Sequence, residues 1–125
     1  MIVGVGIDIA EVPRIAEAIQ RFGKRFLHRV FTDGEIQYCD SKANRVERYA
    51  ARFAAKEAAM KALGTGWSRG VRWRDIEVVR HPGGRPTIKF HGKAAEFAAR
   101  LRAENIALSL SHTPDQAIAS VILES

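Results

Sequence analysis

An α+β fold with a mainly antiparallel sheet is predicted by the order of segments along the 125-residue sequence. Strand-like segments occur at the start, in the middle and at the end of the chain, with helical segments between them. Short turn sequences join the middle strands, and likewise the final strands, into β-hairpins. The predicted order is β-α-α-α-β-β-α-β-β, which lacks the regular alternation of a doubly wound parallel sheet.

The opening segment, Ile2 to Ile9, has the alternation of a β-strand. Valine and isoleucine occupy one face, whereas the other carries Gly4, Gly6 and then Asp8. Glycines within a strand mark a place where another backbone or a ligand comes close. Two interpretations of Asp8 stay open: it caps the following helix, or it belongs to a buried ligand site.

Three helices are predicted before the middle hairpin, because three segments combine helical spacing of apolar residues with suitable capping residues. They run from Pro13 to a C-terminal cap at Gly23, from a Thr32–Glu35 capping box to about Asp40, and from about Arg45 to a cap at Gly64. The first helix presents a mostly basic face to solvent, and the third is rich in alanine.

The second half of the sequence predicts four strands and one helix. Alternating residues predict strands over Ile76–Arg80 and Thr87–Phe90, with a proline and two glycines between them. An amphipathic helix follows from Ala94 to Leu101. Two closing strands, Ile106–Ser111 and Ala117–Leu123, are joined by a turn at residues 113–115.

Composition favours a single globular domain over residues 1–125, since 46% of the residues are hydrophobic and 27% are charged. No apolar run approaches the roughly 20 residues that span a bilayer, and the single Cys39 cannot form an intrachain disulfide. We therefore expect a cytoplasmic protein without membrane segments. The net charge of +6 favours a polyanionic partner: a nucleic acid, a phosphate-rich cofactor or an acidic protein.

The candidate chemistry lies on the alanine-rich helix, where Phe53, Glu57, Lys61 and Gly64 form one stripe. Glu57 and Lys61 alone could be an ordinary ion pair one turn apart. If Glu57 instead converges with Asp8, the two carboxylates supply hard oxygen ligands of the kind that hold Mg²⁺ together with substrate phosphates. Lys61 would then contact the same phosphates.

A hydrolase triad at the end of the chain is not favoured. Ser111 and His112 are neighbours on a predicted strand, so their side chains point to opposite faces. A polar strand end beside a pocket is the better interpretation of these residues.

The motifs together resemble the small, single-domain branch of the 4′-phosphopantetheinyl transferases, the holo-acyl-carrier-protein synthases. The matching segments span nearly the whole chain in the expected order: Gly6–Glu11 with Arg14, Phe31–Thr32 with Glu35, Arg52–Ala58 with Lys61–Gly66, Trp73–His91, and Leu108–Thr113. The resemblance implies transfer of 4′-phosphopantetheine from coenzyme A to a serine of apo-acyl carrier protein, with Mg²⁺ as cofactor.

The resemblance also assigns roles to residues. It places the metal-binding carboxylates at Asp8 and Glu57, and a catalytic, phosphate-contacting lysine at Lys61. Ala10 stands where larger relatives have a third acid, so a water would replace that ligand. The implied coenzyme A contacts are Arg52, Phe53, Lys61, Gly64, Arg85, Pro86, Ser111, His112 and Thr113. Family members are homotrimers with active sites between subunits, so Arg85, Pro86 and residues 111–113 would complete a neighbour's pocket.

The resemblance implies that the acidic carrier protein docks on the basic face of the first predicted helix. Its candidate contacts are Arg14, Arg21, Phe22, Arg25 and Phe26, with Lys24 beside them. A solvated basic face with core phenylalanines is the alternative. Two other function classes remain as alternatives for the chain: a small basic nucleic-acid-binding module without catalysis, and a non-catalytic trimeric scaffold.

Overall fold

A computed structural model of the chain describes residues 1–66 and 68–125 and confirms the α+β class. Its helices are α1 (Val12–Phe22), α2 (Lys24–Val30), α3 (Asp33–Asp40), α4 (Arg45–Leu63) and α5 (Gly92–Arg100), with a 3₁₀ turn at Trp73–Asp75. Its strands are β1 (Ile2–Glu11), β2 (Ile76–Arg80), β3 (Pro86–Phe90), β4 (Asn105–His112) and β5 (Gln116–Glu124). None of the helices in the described residues has the length and apolar character needed to cross a membrane.

The predicted element order omits α2. Gly23 ends α1 as expected, with φ at 55° and its N–H donating to the carbonyl of Ile19. The chain then turns directly into the seven-residue helix α2. A helix this short lacks the repeated apolar spacing that identifies α1 and α4 in the sequence. Lys24, Arg25 and Phe26 therefore belong to a separate helix.

The strands form two antiparallel sheets, one with the order β1-β5-β4 and one made of β2 and β3. Helix α4 packs on the inner face of the three-stranded sheet. A Cβ atom added at Gly4 or Gly6 would overlap the carbonyl oxygen of Ala62 or Ala58 in α4. The glycines of β1 thus mark the close approach of a helix backbone, as the sequence predicts.

The apolar side chains of β1 point away from the core. Val5, Ile7 and Ile9 are each more than half exposed, and Ile118 lies opposite Ile9 on β5. These four residues form what we call the outer sheet face. Helix α4 covers the glycine side of β1. The apolar side is left exposed, and no element of the described chain covers it.

A buried ion pair ties α4 to its neighbours. Lys56 Nζ lies 2.7 Å from Glu35 Oε1, and neither side chain is accessible to solvent. Lys56 also donates to the carbonyl of Ile76, and Glu35 Oε2 accepts from the N–H of Val78 at 2.7 Å. Glu35 is the acidic member of the predicted capping box with Thr32, which is present. The network fixes α3, α4 and β2 relative to one another.

Candidate active site

Asp8 and Glu57 converge at the contact between β1 and α4. Asp8 follows Gly6 on the inward face of β1, and its carboxyl group lies close enough to that of Glu57 to raise the pKa of Glu57. The alternative role of Asp8 as a helix cap is not observed, since Glu11 occupies the N-cap position of α1. The interpretation of these two acids as parts of one site is the one that the geometry supports.

Lys61 joins the same cluster. Its Nζ donates to Asp8 Oδ1 at 2.8 Å and to the carbonyl of Ile7 at 3.1 Å. The hydrogen bond to Asp8 raises the pKa of the ammonium group. Lys61 pairs with Asp8 across the β1–α4 contact, whereas the simple one-turn ion pair with Glu57 is not formed.

The electrostatics of the cluster are unfavourable for two negative charges. Burial, followed by the charge of Asp8 and the hydrogen bond to it, raises the pKa of Glu57 to about 7. Lys61 and Arg14 oppose this shift. Near neutral pH Glu57 therefore keeps its proton in part of the molecules, as expected for a buried acid beside a second carboxylate. A divalent cation would relieve the same repulsion.

The donor set fits Mg²⁺ as a cation shared with a substrate. Asp8 and Glu57 offer hard carboxylate oxygens, and Mg²⁺ characteristically binds one or two carboxylates together with phosphates and waters. No group of three or more His, Cys, Asp or Glu residues suited to a metal occurs among the described residues. Ala10, at the position where larger relatives have a third acid, is buried and has no side-chain oxygen to offer a metal. The neighbouring acid, Glu11, accepts a hydrogen bond from the side chain of Gln116.

A cavity of about 390 Å³ lies beside Glu57, and we call it the carboxylate cavity. Elements β1, α1, α2 and α4 contribute its wall: Ile9, Ala10, Glu11, Arg14, Ile15, Ala18, Phe26, Phe53 and Glu57. Phe53 is stacked on Trp73 with ring centroids 4.9 Å apart. Arg14 and Phe26, predicted as carrier contacts, thus also border the active site.

A second cavity, of about 210 Å³, is lined by several cations, and we call it the arginine cavity. Its polar and proline lining consists of Tyr38, Arg48, Arg52, Arg80, Pro86 and His112. Arg52 is only 4% exposed, its guanidinium lies 4.2 Å from the Tyr38 ring centroid, and its Nε has no hydrogen-bond partner. A buried donor without a partner is costly, so an anionic ligand would stabilise this arrangement.

The predicted coenzyme A contacts lie in separate parts of the structure. Phe53 and Arg52 are adjacent on α4, yet they line the carboxylate cavity and the arginine cavity respectively, and these cavities share no lining residue. Pro86 and His112 join Arg52. Gly64 caps α4 in the left-handed conformation, with open space beside it.

Three other predicted contacts line neither cavity. Arg85 is exposed between β2 and β3. Ser111 is exposed opposite Ile118, on the outer sheet face, which confirms that it points away from His112. Thr113 lies in the β4–β5 turn, where its hydroxyl accepts from the N–H groups of residues 115 and 116.

Sequence reasoning missed Tyr38, Arg48 and Arg80 in the arginine cavity. Arg48 precedes Arg52 by one helical turn, so helical spacing could have found it. Tyr38 and Arg80 come from α3 and β2, and only the fold brings the Tyr38 hydroxyl within 2.6 Å of Arg80 Nη1.

The predicted carrier surface spans α1 and α2. Phe22 is 53% exposed and is therefore not a core residue, whereas Phe26 packs edge-on against Phe31. Phe22, Arg25, Phe26 and Arg29 line a groove of about 390 Å³. Arg21 lies nearby on α1, exposed and 3.6 Å from Glu17. We call Arg21, Phe22, Arg25, Phe26 and Arg29 the basic aromatic face.

Comparisons with known proteins show which proteins this chain is similar to in sequence and in structure. Residues 4–121 match the family profile described as the 4′-phosphopantetheinyl transferase superfamily. The holo-[acyl-carrier-protein] synthase of Koribacter versatilis is 67% identical over 99% of both chains. A holo-[acyl-carrier-protein] synthase from Neisseria meningitidis is similar in structure, with a TM-score of 0.90 at 32% identity over all of both chains. The Helicobacter pylori synthase in complex with coenzyme A has a TM-score of 0.83 at 32% identity, covering 96% of this chain and 99% of that one.

Proposed function

This chain belongs to the 4′-phosphopantetheinyl transferase superfamily, and we propose that it transfers 4′-phosphopantetheine from coenzyme A to a serine of an apo-acyl carrier protein. The products are holo-acyl carrier protein, which serves fatty acid biosynthesis, and adenosine 3′,5′-bisphosphate. The observation that carries this proposal is the convergence of Asp8, Glu57 and Lys61 in a relative of holo-[acyl-carrier-protein] synthases.

Asp8 and Glu57 are the residues that would hold Mg²⁺. When bound there, the ion would neutralise charge on the phosphoryl oxygens of the diphosphate. Lys61 is more than half exposed at its side chain, so its ammonium group can also contact a phosphate oxygen as a point charge. The carboxyl pair and the lysine together match a substrate that brings its own negative charge.

The transfer requires a proton acceptor. The serine oxygen attacks the β-phosphorus, its bond to phosphorus forms as the diphosphate bridge breaks, and the serine proton must leave. Glu57, or a water at the site, accepts it. Among the described residues that line the carboxylate cavity there is no histidine to take this role.

The arginine cavity supplies the second part of the coenzyme A site. Arg48, Arg52 and Arg80 offer guanidinium groups to an anion, and the free Nε of Arg52 needs an acceptor. Because this cavity is separate from the carboxylate cavity of the same chain, we propose that each active site joins the two cavities from different subunits of a homotrimer. The exposed outer sheet face provides an apolar surface that such an assembly would cover.

The basic aromatic face is the proposed dock for the carrier protein. Its arginines would steer an acidic partner, and Phe22 offers an exposed apolar anchor. Arg14 lies between this face and Glu57, so a docked carrier would present its serine next to the carboxylate cavity. Cys39 is a buried free thiol, which fits the cytoplasmic location that we propose.

The experiment is to incubate the protein with coenzyme A, Mg²⁺ and an apo-acyl carrier protein, and to analyse the carrier by mass spectrometry. We expect a serine-linked phosphopantetheine adduct that chelation of Mg²⁺ abolishes. Glu57→Gln should lose turnover, and Glu96→Gln, at an exposed acid on α5, is its control. No adduct on an acidic carrier, together with tight nucleic-acid binding that coenzyme A does not affect, would favour the binding-module alternative, which the comparisons do not support.

A further inference from the structure

Asn44 stands at the N-cap of α4 but does not cap it, since its side chain makes no hydrogen bond to the first turn of backbone. Its amide instead joins two neighbouring side chains. Asn44 Nδ2 donates to Glu47 Oε2 at 3.1 Å, and Asn44 Oδ1 accepts from Arg48 Nε at 3.2 Å. Asparagine is among the preferred capping residues, so this alternative use calls for a reason.

Glu47 reaches across to the strand that ends at the arginine cavity. Its Oε2 lies 3.4 Å from Nε2 of His112, and both side chains are about one-quarter exposed. The side-chain amide of Asn44 therefore contacts Arg48 on α4 directly and is linked to His112 on β4 through Glu47. Both Arg48 and His112 belong to the wall of the arginine cavity.

Several positively charged side chains surround His112 in the wall of the arginine cavity. Arg48 and Arg52 from α4 and Arg80 from β2 line the cavity with it, and Tyr38 from α3 completes the polar wall. The guanidinium groups concentrate positive charge around the imidazole ring, whereas Glu47 places a carboxylate beside it. A carboxylate at one ring nitrogen also fixes the orientation of the ring and leaves the other nitrogen for a ligand.

We propose that Glu47 is a positioning residue for coenzyme A binding. Glu47 holds His112 in the wall of the arginine cavity, and Asn44 links Glu47 to Arg48, so that an imidazole and a guanidinium are in place before an anionic group arrives. This inference rests on the proposed function, because it takes coenzyme A as the anionic ligand of the cavity. Glu47 itself lines neither cavity and acts through its neighbours.

Calorimetry with coenzyme A and steady-state kinetics test the proposal in Glu47→Ala, His112→Ala and the double variant. Glu96→Ala is the matched control, since Glu96 is an exposed acid on α5 that pairs only with Lys93 among the described residues. We expect E47A to raise the Kd and the KM for coenzyme A by about five- to tenfold, with kcat within about twofold. In the H112A background the same substitution should change the Kd by less than about twofold.

The conservative variant E47Q keeps an acceptor oxygen and should recover most of the affinity. If melting shows that E47A does not fold, E47M, which lacks the carboxyl oxygens but keeps more of the side-chain volume, replaces it. NMR signals of the His112 ring should move in both Glu47 variants without any ligand, and stay unmoved in E96A. An unchanged Kd, unmoved ring signals, or an equal loss with and without His112 would overturn the positioning role while leaving the transferase intact. A wild-type protein that neither binds coenzyme A nor modifies a carrier would overturn the function itself, and this inference with it.

Discussion

The carboxyl groups of Asp8 and Glu57 lie close together because α4 packs directly on the glycine side of β1. The strand contributes one acid and the helix the other, and no side chain separates the two backbones at Gly6. The site is therefore a product of the closest contact between two elements. Its geometry depends on residues that take no part in the chemistry.

Gly6→Ala tests that dependence. The added methyl group would overlap the carbonyl oxygen of Ala58, so β1 and α4 must move apart. We expect a loss of about 2–4 kcal/mol in the free energy of unfolding, a typical cost of strong overpacking, and a large loss of transferase activity. Denaturant unfolding measures the first. Gly83→Ala is the control, because a Cβ there meets open space and should leave both quantities unchanged.

The raised pKa of Glu57 predicts that Mg²⁺ affinity depends on pH. The protonated carboxyl group is a poor ligand, so binding must release this proton below a pH of about 7. We expect the affinity to fall by about tenfold in total from pH 8 to pH 6, most of it below pH 7, for one released proton. Calorimetry at three pH values measures it, and an affinity that stays constant over this range would contradict the raised pKa of Glu57.

The same pKa has a consequence for stability without metal. Because the folded state binds the Glu57 proton more tightly than the unfolded state does, the stabilisation from that proton is present at low pH and is lost as pH rises through about 7. Mg²⁺ should offset this loss. Thermal melting at pH 6 and pH 8, with and without the ion, provides the check, and Asp8→Asn should reduce the difference by removing the opposing carboxylate.

Local patterns predicted the elements that build the carboxylate cluster. The spacing of Glu57 and Lys61 on α4, the Thr32–Glu35 capping box and the glycines of β1 are all properties of short sequence windows. Alternation in β1, however, does not say which face is buried, and here the glycine face packs on a helix while Val5, Ile7 and Ile9 point outward. Tyr38, Arg48 and Arg80 escaped prediction because five separate elements, α3, α4, β2, β3 and β4, come together at the arginine cavity. Helix α2 escaped prediction because it has only seven residues.

Charge reversal on the basic aromatic face tests the carrier dock. Arg21→Glu with Arg25→Glu places negative charges where we propose that an acidic carrier binds, so the KM for the carrier should rise by about tenfold or more and depend less on salt. The KM for coenzyme A should stay the same, since neither residue lines the two cavities. Lys89→Glu, an exposed reversal on β3, is the control. An unchanged KM for the carrier would exclude this face as the dock.

Subunit complementation tests whether active sites combine two chains. Glu57→Gln removes one acid of the carboxylate cluster, and Arg52→Met removes the buried cation of the arginine cavity while keeping side-chain volume. Each variant alone should have little activity. If each site takes its carboxylates from one subunit and its arginines from the next, an equal mixture that exchanges subunits gives both intact halves at about a quarter of the sites. Regained activity near that fraction would support shared sites, and a mixture as inactive as its components would show that each chain carries its whole site alone.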